Sequence, residues 1–213
     1  MTEARTTTGR SVRAERTREA LIRAGRKQVA EQPVDAVAID DIVRAADVAK
    51  GSFYNHFPDK DALVRSVTGE IRAGVERAIG RANAGIDEPA RRVARAICVY
   101  MRYAVDEPVR AGVLVRVHSG HVSTSAPLNQ GIVEDVSAGL ASGRFAIATM
   151  ESAVLYILGV SQISLTRIVQ EPTLALAVTL SQQLCALLLR GLGVPPSEAE
   201  TLAAQASDEV VRQ

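Results

Sequence analysis

The spacing of hydrophobic residues along the chain predicts helices throughout. In the stretch AIDDIVRAADVAKGSFYNHFPDKDAL, Ile42, Ala45 and Ala46 form an i, i+3, i+4 stripe, which is the spacing of an amphipathic helix. Phe53 and Phe57 continue the apolar surface after a short break. Two short helices must therefore cross within this stretch, and the small side chains of Ala45 and Ala46 allow them to approach closely.

The second of these helices keeps polar and small residues on its outer face: Lys50, Gly51, Ser52, Asn55 and His56. A helix-turn-helix needs such a helix, because its N-terminal residues must enter a major groove about 12 Å wide. Around it, Tyr54, His56 and Lys60 are able to reach phosphate oxygens. We therefore predict a DNA-binding site at these seven residues, in which Tyr54, His56 and Lys60 bind phosphates.

From about Leu21 to Leu63 the chain resembles the DNA-binding domain of TetR-family transcriptional regulators, whose characteristic run is seen here as VAKGSFYNHFPDKDAL. The resemblance implies an all-α protein with an N-terminal three-helix DNA-binding domain and a C-terminal helical domain for ligand binding and dimerisation. It also implies a homodimeric repressor that a small-molecule effector releases from a near-palindromic operator in double-stranded DNA. Repression rather than activation is a property of the family that no residue here indicates.

Three residues depart from the family pattern. Pro33 stands where a Gly usually closes the first helix, and Pro cannot adopt the left-handed cap conformation. Ala38 replaces a Thr that usually caps the second helix and touches a phosphate, so we expect one cap hydrogen bond and one DNA contact to be missing. Asp47 replaces a Gly in the turn at a position of positive φ, which Asp tolerates better than most residues.

The predicted elements divide the chain into a disordered arm (residues 1–11), a helix-turn-helix domain (residues 12–58) and a helical effector-binding and dimerisation domain (residues 59–213). A long helix is predicted to begin at Asp59. In the family this helix links the DNA-binding head to the rest of the molecule. Beyond it the apolar spacing is helical again, and neither alternating strand patterns nor repeats occur.

Two late segments, residues 148–169 and 173–192, are apolar on more than one face. A helix that is apolar all round in a soluble chain implies a second burial surface. Two such helices from each subunit would form an isologous dimer interface, and a larger internal core is the alternative. The resemblance favours the dimer, because these regulators dimerise through their last two long helices.

The charge distribution supports a nucleic-acid partner more than the net charge does. The formal net charge is only +1, but residues 1–30 contain eight Arg or Lys against three Glu. Such a basic segment supplies phosphate attraction that does not depend on sequence. A solvated helix face followed by a tail is the alternative interpretation.

Several features predict a soluble cytoplasmic protein. Cys98 and Cys185 have no CxxC spacing, which suits reduced thiols rather than a disulfide framework. The stretch MTEARTTTGR lacks the apolar segment of a signal peptide. No apolar run approaches the roughly 18 residues of a membrane span, so we expect no membrane partner.

We predict no catalytic residues, no metal site and no cofactor. His118 and His121 flank a glycine but have no acidic or Cys partner at ligand spacing. Cys98 and His118 could form a thiolate pair, although the apolar neighbours of Cys98 favour an inert thiol. The chain contains neither GxGxxG nor GxxxxGK[ST], so it lacks the common nucleotide-binding motifs.

By analogy with the family, an effector enters between the helices spanning residues 88–169. The predicted pocket residues are Cys98, Met101, Arg102, Val105, His118, His121, Tyr156 and Gln162. Aromatic residues make up only 3% of the chain, so the pocket offers little stacking surface. An aliphatic or small polar metabolite is thus favoured over a flat polyaromatic cation.

Two other functions remain open at this point. The first is an effector-independent DNA-binding protein with an architectural or partner-recruiting role, in which no metabolite alters operator affinity. The second is an all-helical enzyme with a DNA-binding head. That function requires a turnover that is lost on Cys98→Ala or His118→Ala.

Overall fold

The computed structural model describes residues 3–117 and 129–213, and the regular elements in these ranges are all helical, which confirms the predicted all-α fold. The helices are α1 (Glu3–Glu31), a 3₁₀ turn (Val34–Ala36), α2 (Ile39–Ala45), α3 (Lys50–Tyr54), α4 (Lys60–Ala82), α5 (Pro89–Asp106), α6 (Pro108–Arg116), α7 (Gln130–Ala141), α8 (Met150–Gln170), α9 (Leu174–Gly191), α10 (Pro196–Ala206) and a π-helical turn (Ser207–Val211).

The N-terminal unit comprises residues 1–71 and 112–117. In it α1 packs against α2 and α3. Its fully buried large side chains include Leu21, Ile42, Phe53 and Leu63. Gly25 allows α4 to approach α1 closely, because a Cβ atom at this position would lie 2.7 Å from Cδ2 of Leu63.

The start of α1 differs from the sequence prediction. A disordered arm was expected over residues 1–11, whereas the helix already begins at Glu3. At the other end α1 stops at Glu31, and Pro33 (φ −55°) leads into the 3₁₀ turn. The corner therefore differs from a glycine cap, as the sequence predicted.

The C-terminal unit comprises residues 72–111 and 118–213. Helix α5 is central to it and packs against α7, α8, α9 and α10. Cys98 on α5 and Cys185 on α9 are fully buried free thiols, with their Sγ atoms 3.9 Å apart. Both α8 and α9 have the length and composition of bilayer-spanning helices, but core helices of soluble proteins share these properties, and here α5 packs against both.

The two units divide within α4, between Ile71 and Arg72. The sequence predicted this boundary at Asp59. The difference arises because Leu63 and Val67, on the first half of α4, are buried in the N-terminal unit. Helix α4 therefore contributes to both units.

Candidate nucleic-acid interface and buried cavity

The turn between α2 and α3 adopts the conformation that the sequence predicted. Asp47 has a φ of 54°, which lies in the left-handed region that few residues other than glycine adopt. The amide of Val48 donates to the carbonyl of Val43 at 3.1 Å and closes the turn. At the start of α2, Ala38 makes no side-chain cap hydrogen bond, while Asp40 and Asp41 lie in the first turn.

Helix α3 is held by its inner face and leaves its outer face open. Phe53 is completely buried and its ring lies 5.8 Å from that of Phe57. On the outer face, Lys50, Gly51, Tyr54 and Asn55 are exposed, whereas Ser52 and His56 are half-buried. A Cβ atom at Gly51 would meet nothing within 4 Å, so a duplex has free access to the backbone there. The predicted base-contacting residues thus share one accessible surface, which we call the α3 outer face.

Lys50, at the start of α3, already has a partner. Its Nζ atom lies 2.7 Å from Oδ1 of Asp40 on α2. The hydrogen bond to this carboxylate raises the pKa of Lys50, and the charge of Asp40 adds to the effect. The ammonium group is more than half exposed, so it remains available to a phosphate or a base that replaces the carboxylate.

Unlike Lys50, Lys60 binds backbone carbonyl oxygens near the end of α1. Its Nζ atom donates to the carbonyl oxygens of Val34 (2.8 Å) and Val37 (3.1 Å), and more weakly to that of Asp35 (3.4 Å). The ammonium therefore closes the 3₁₀ turn after α1. Its predicted role as a phosphate ligand stays a prediction, and the structure adds this structural role.

The basic residues of α1 fall into two groups. Arg16 and Arg23 are exposed and stay available for phosphates. Arg18 instead donates to Oγ of Ser66 at 2.7 Å, and its guanidinium lies 5.5 Å from the centre of the Phe57 ring. Arg18 thus joins α1 to α4.

A cavity of about 120 Å³ lies inside the C-terminal unit, between α4, α5, α7 and α8. Its lining residues are Glu76, Ile79, Gly80, Arg92, Val93, Ala96, Ile97, Tyr100, Gly131, Ile132, Asp135, Ile157 and Ser161. The volume is comparable to that of the engineered cavity of about 150 Å³ that binds benzene. One small ring therefore matches the available space.

Two polar side chains of the cavity have raised pKa values. Burial raises the pKa of Glu76, and among the described residues none donates a hydrogen bond to its carboxylate. Burial raises the pKa of Tyr100 to about 12; the charge of Glu76 adds to this effect and that of Arg72 opposes it. Burial thus disfavours the charged forms of this carboxylate and this phenol.

A third polar group is the ion pair of Arg92 and Asp135. Nε of Arg92 donates to Oδ1 of Asp135 at 2.5 Å, and Nη1 donates to the carbonyl of Ile86 at 3.1 Å. Burial raises the pKa of Asp135, and the hydrogen bond from Arg92 only partly offsets this. Arg92 thus fixes the Asp135 carboxylate in the cavity wall.

The predicted pocket residues that the structure describes do not line this cavity. Met101 and Cys98 are buried in the core, and Arg102 pairs with Asp106 at 2.8 Å. Tyr156 donates to the carbonyl of Leu187 at 3.2 Å. Val105 and Gln162 are half-buried outside the lining. The cavity is lined by helix α5, which also carries the predicted residues Cys98 and Met101, but by a different face of this helix.

The sequence carried a weak signal for the residues that prediction missed. Glu76 interrupts an apolar stripe on α4, between Val75 and Ile79, and Asp135 precedes Val136 on α7. Charged residues at such positions either reach solvent or face a cavity, and hydrophobic spacing does not separate the two cases.

His118 and His121 lie outside the described residues. Within residues 3–117 and 129–213, no three His, Cys, Asp or Glu side chains converge to hold a metal ion.

Large apolar side chains are exposed on α8 and α9. On α8, Leu155 is 42% and Ile163 is 63% exposed, and Gly159 lies between them at i, i+4 spacing. On α9, Leu174 is 44% and Leu187 is 54% exposed. We call these five residues the α8–α9 face. It belongs to the two segments for which the sequence predicted a second burial surface.

Two family models match the chain. The model of the bacterial regulatory proteins of the tetR family matches residues 21–67, and that of the tetracyclin repressor-like C-terminal domain matches residues 88–205. A curated relative, the HTH-type transcriptional repressor DhaR of Mycobacterium sp. (strain GP1), is 39% identical over 62 residues. This match spans 29% of the chain and 31% of the repressor, so it covers less than a third of that relative.

Solved structures resemble the whole chain. RolR without ligand is 26% identical, with a TM-score of 0.65 over 87% of this chain and 96% of RolR. RolR in complex with resorcinol is 25% identical, with a TM-score of 0.57 over 92% of this chain and 96% of RolR. A putative tetR family regulator from Shewanella sp. PV-4 is 17% identical, with a TM-score of 0.73 over 83% of this chain and 97% of that one, and shows a shared fold.

Proposed function

The chain belongs to the TetR family of bacterial regulatory proteins, as its resemblance over residues 21–63 predicted, and we propose that it is a homodimeric, sequence-specific DNA-binding repressor released from its operator by a small molecule. The α3 outer face carries this proposal: Lys50, Tyr54 and Asn55 are exposed together on a helix anchored by the buried Phe53. The family model covers all of these residues.

In DNA recognition, Lys50, Gly51, Ser52 and Asn55 enter the major groove, while Tyr54, His56 and Lys60 bind phosphates. The half-buried position of His56 and the carbonyl contacts of Lys60 make Lys50 and Tyr54 the first residues to test. Both are exposed by half or more of their side chain.

Dimerisation is supported by the α8–α9 face. Its exposed Leu and Ile side chains cost free energy in water, and a second copy of the same face covers them without any further partner. An isologous dimer presents two α3 helices related by a two-fold axis. Half-sites about 34 Å apart, and hence a near-palindromic operator, follow from this arrangement.

Effector control is supported by the cavity of the C-terminal unit. RolR, which is similar to this chain, was crystallised with resorcinol. A ligand that binds best to a dimer whose α3 helices do not match the spacing of the two half-sites must weaken DNA affinity. DNA then weakens ligand affinity by the same factor. The buried cavity, rather than the predicted set around Cys98, is therefore the effector site that we propose.

The other two functions are less well supported. An effector-independent DNA-binding protein does not need a cavity with polar groups held inside it. An enzyme that uses Cys98 would need an accessible thiolate, whereas this thiol is fully buried beside Cys185. The proposed activity is thus binding without catalysis, in the cytoplasm, where the DNA is.

The proposal is tested by selecting bound duplexes from a random pool and measuring their affinity by fluorescence anisotropy. We expect a near-palindromic sequence and a large loss of affinity for both Lys50→Ala and Tyr54→Ala. Glu200→Gln, an exposed change on α10, serves as the control. Unchanged affinity in both variants, or a monomeric protein indifferent to duplex DNA, would refute the proposal.

A further inference from the structure

In the described part of the cavity wall, the carboxylate acceptors receive few hydrogen bonds from the protein. No described residue donates to Glu76, and Asp135 receives one hydrogen bond, at Oδ1, from Arg92. The hydroxyl of Ser161 donates to the carbonyl of Ile157 at 2.8 Å and so points its proton at the backbone. Glu76 is only half-buried, so its carboxylate oxygens, like Oδ2 of Asp135, can accept hydrogen bonds from a ligand that brings donors.

The two carboxylates lie close together along α7. Oε2 of Glu76 is 3.7 Å from the position that a Cβ atom at Gly131 would occupy. Gly131 and Asp135 are four residues apart on the same helix, and residues at this spacing are neighbours on one face. The carboxylates of Glu76 and Asp135 therefore lie about one helical turn apart along α7. This spacing suits two hydrogen-bond donors at separate positions of one ring.

The charges of the lining exclude acids. Glu76 and Asp135 carry two carboxylates, while Arg92 supplies the one cationic side chain among the described lining residues. A ligand carboxylate would add a further negative charge to a poorly solvated site, where like charges repel strongly.

The walls also disfavour a cationic ligand. Among the lining residues that the structure describes, Ile79, Val93, Ile97, Ile132 and Ile157 are aliphatic and Tyr100 is the sole aromatic side chain. Quaternary ammonium groups are usually bound by several aromatic faces, and transfer of any ammonium from water into aliphatic surroundings costs much more than transfer of a hydroxyl.

We propose that the effector is an uncharged single ring bearing two hydroxyl groups, which donate hydrogen bonds to the carboxylates of Glu76 and Asp135. The aliphatic side chains contact the faces of the ring, and the volume of about 120 Å³ matches a single ring. This inference rests on the proposed function in treating the cavity as the effector site, but ligand binding is measured without DNA.

The test uses isothermal titration calorimetry on the full chain with four probes of similar size: 1,3-dihydroxybenzene, 1,3-difluorobenzene, benzoate and benzylamine. We expect 1,3-dihydroxybenzene to bind at least about tenfold more tightly than each of the other three. Glu76→Gln should remove most of this preference while the affinity for 1,3-difluorobenzene, which reports an intact cavity, stays the same. Glu200→Gln is the matched control and should behave as the wild type.

Three results would overturn the inference. They are equal affinity for the dihydroxy and difluoro rings, tighter binding of benzylamine, and no binding of any probe. A separate readout tests the proposed function: if 1,3-dihydroxybenzene binds with the expected preference but leaves DNA affinity unchanged, the ligand class stands and effector control fails. Absence of operator binding by the wild type is the failure of the DNA-binding function itself.

Discussion

Lys50 at the beginning of α3 and Asp40 in the first turn of α2 form an ion pair across the helix-turn-helix, with Nζ and Oδ1 2.7 Å apart. The Asp40 carboxylate is therefore already paired with the Lys50 ammonium group that we expect to contact DNA. Both side chains are more than half exposed, so the pair contributes little to stability. We therefore expect its main consequence to be competition with DNA for Lys50.

Asp40→Asn should therefore increase operator affinity by a few-fold, because Lys50 no longer exchanges a carboxylate for its DNA contact. Lys50→Ala should have the opposite effect and, if the contact is to a phosphate, should flatten the salt dependence by about one counterion. Anisotropy titrations at several salt concentrations measure both effects. Asp61→Asn removes an equal charge from the start of α4, where it is exposed, and controls for long-range electrostatics. Equal gains for Asp40→Asn and Asp61→Asn would contradict direct competition.

Ile163→Glu should produce a folded monomer. This side chain is 63% exposed on α8, so the change places a charge in the proposed interface without touching the core. Light scattering should report half the mass of the wild type, while circular dichroism keeps the same helical signal. Operator affinity should fall about a hundredfold, because the two heads are no longer linked. Gln205→Glu, on the exposed surface of α10, should remain dimeric; an unchanged mass for Ile163→Glu would exclude this interface.

Gly139→Ala should destabilise the protein by about 1–3 kcal/mol, since it overpacks the core. An added Cβ atom would lie 2.1 Å from Cδ2 of Phe145, whose ring is buried. Urea unfolding measures the free-energy difference. At Gly69, on α4, the same Cβ would meet nothing within 4 Å, so Gly69→Ala should instead stabilise the helix by roughly 0.5–1 kcal/mol. Similar effects of the two substitutions would contradict close contact between Gly139 and Phe145.

The phenol of Tyr100 should make stability fall as the pH rises from 10 to 12. Its pKa is raised from 10.0 to about 12 by burial and by Glu76, so in this range the folded state keeps a proton that the unfolded state has released, and a rise in pH favours unfolding. Tyr100→Phe should reduce this slope. It should also remove a phenol that ionises near pH 12 in an ultraviolet titration of tyrosinate. Identical titration curves for the two proteins above pH 10 would show that Tyr100 is not protected.

The sequence by itself determined the class of fold and the DNA-binding element. These rest on local physics: the apolar spacing predicts a helix with Ile42 on its inner face, although Val43 and not the exposed Ala45 joins it in the core, and Asp47 tolerates the positive φ of the turn. The burial of Phe53 and Phe57 follows from the same short stretch. Because each feature depends on residues close together in the chain, it could be predicted without tertiary contacts.

The tertiary structure decided which side chains meet. Helix α5 packs against other helices on several sides, so its apolar spacing is equally compatible with a pocket around Cys98 and Met101 and with one around Ile97 and Tyr100. Only the positions of α4, α7 and α8 bring Tyr100, rather than Cys98, to the cavity. In the same way, Lys50 acquires its carboxylate partner from a neighbouring helix, since the crossing of two helices, and not hydrophobic periodicity, sets the distance between their charged ends.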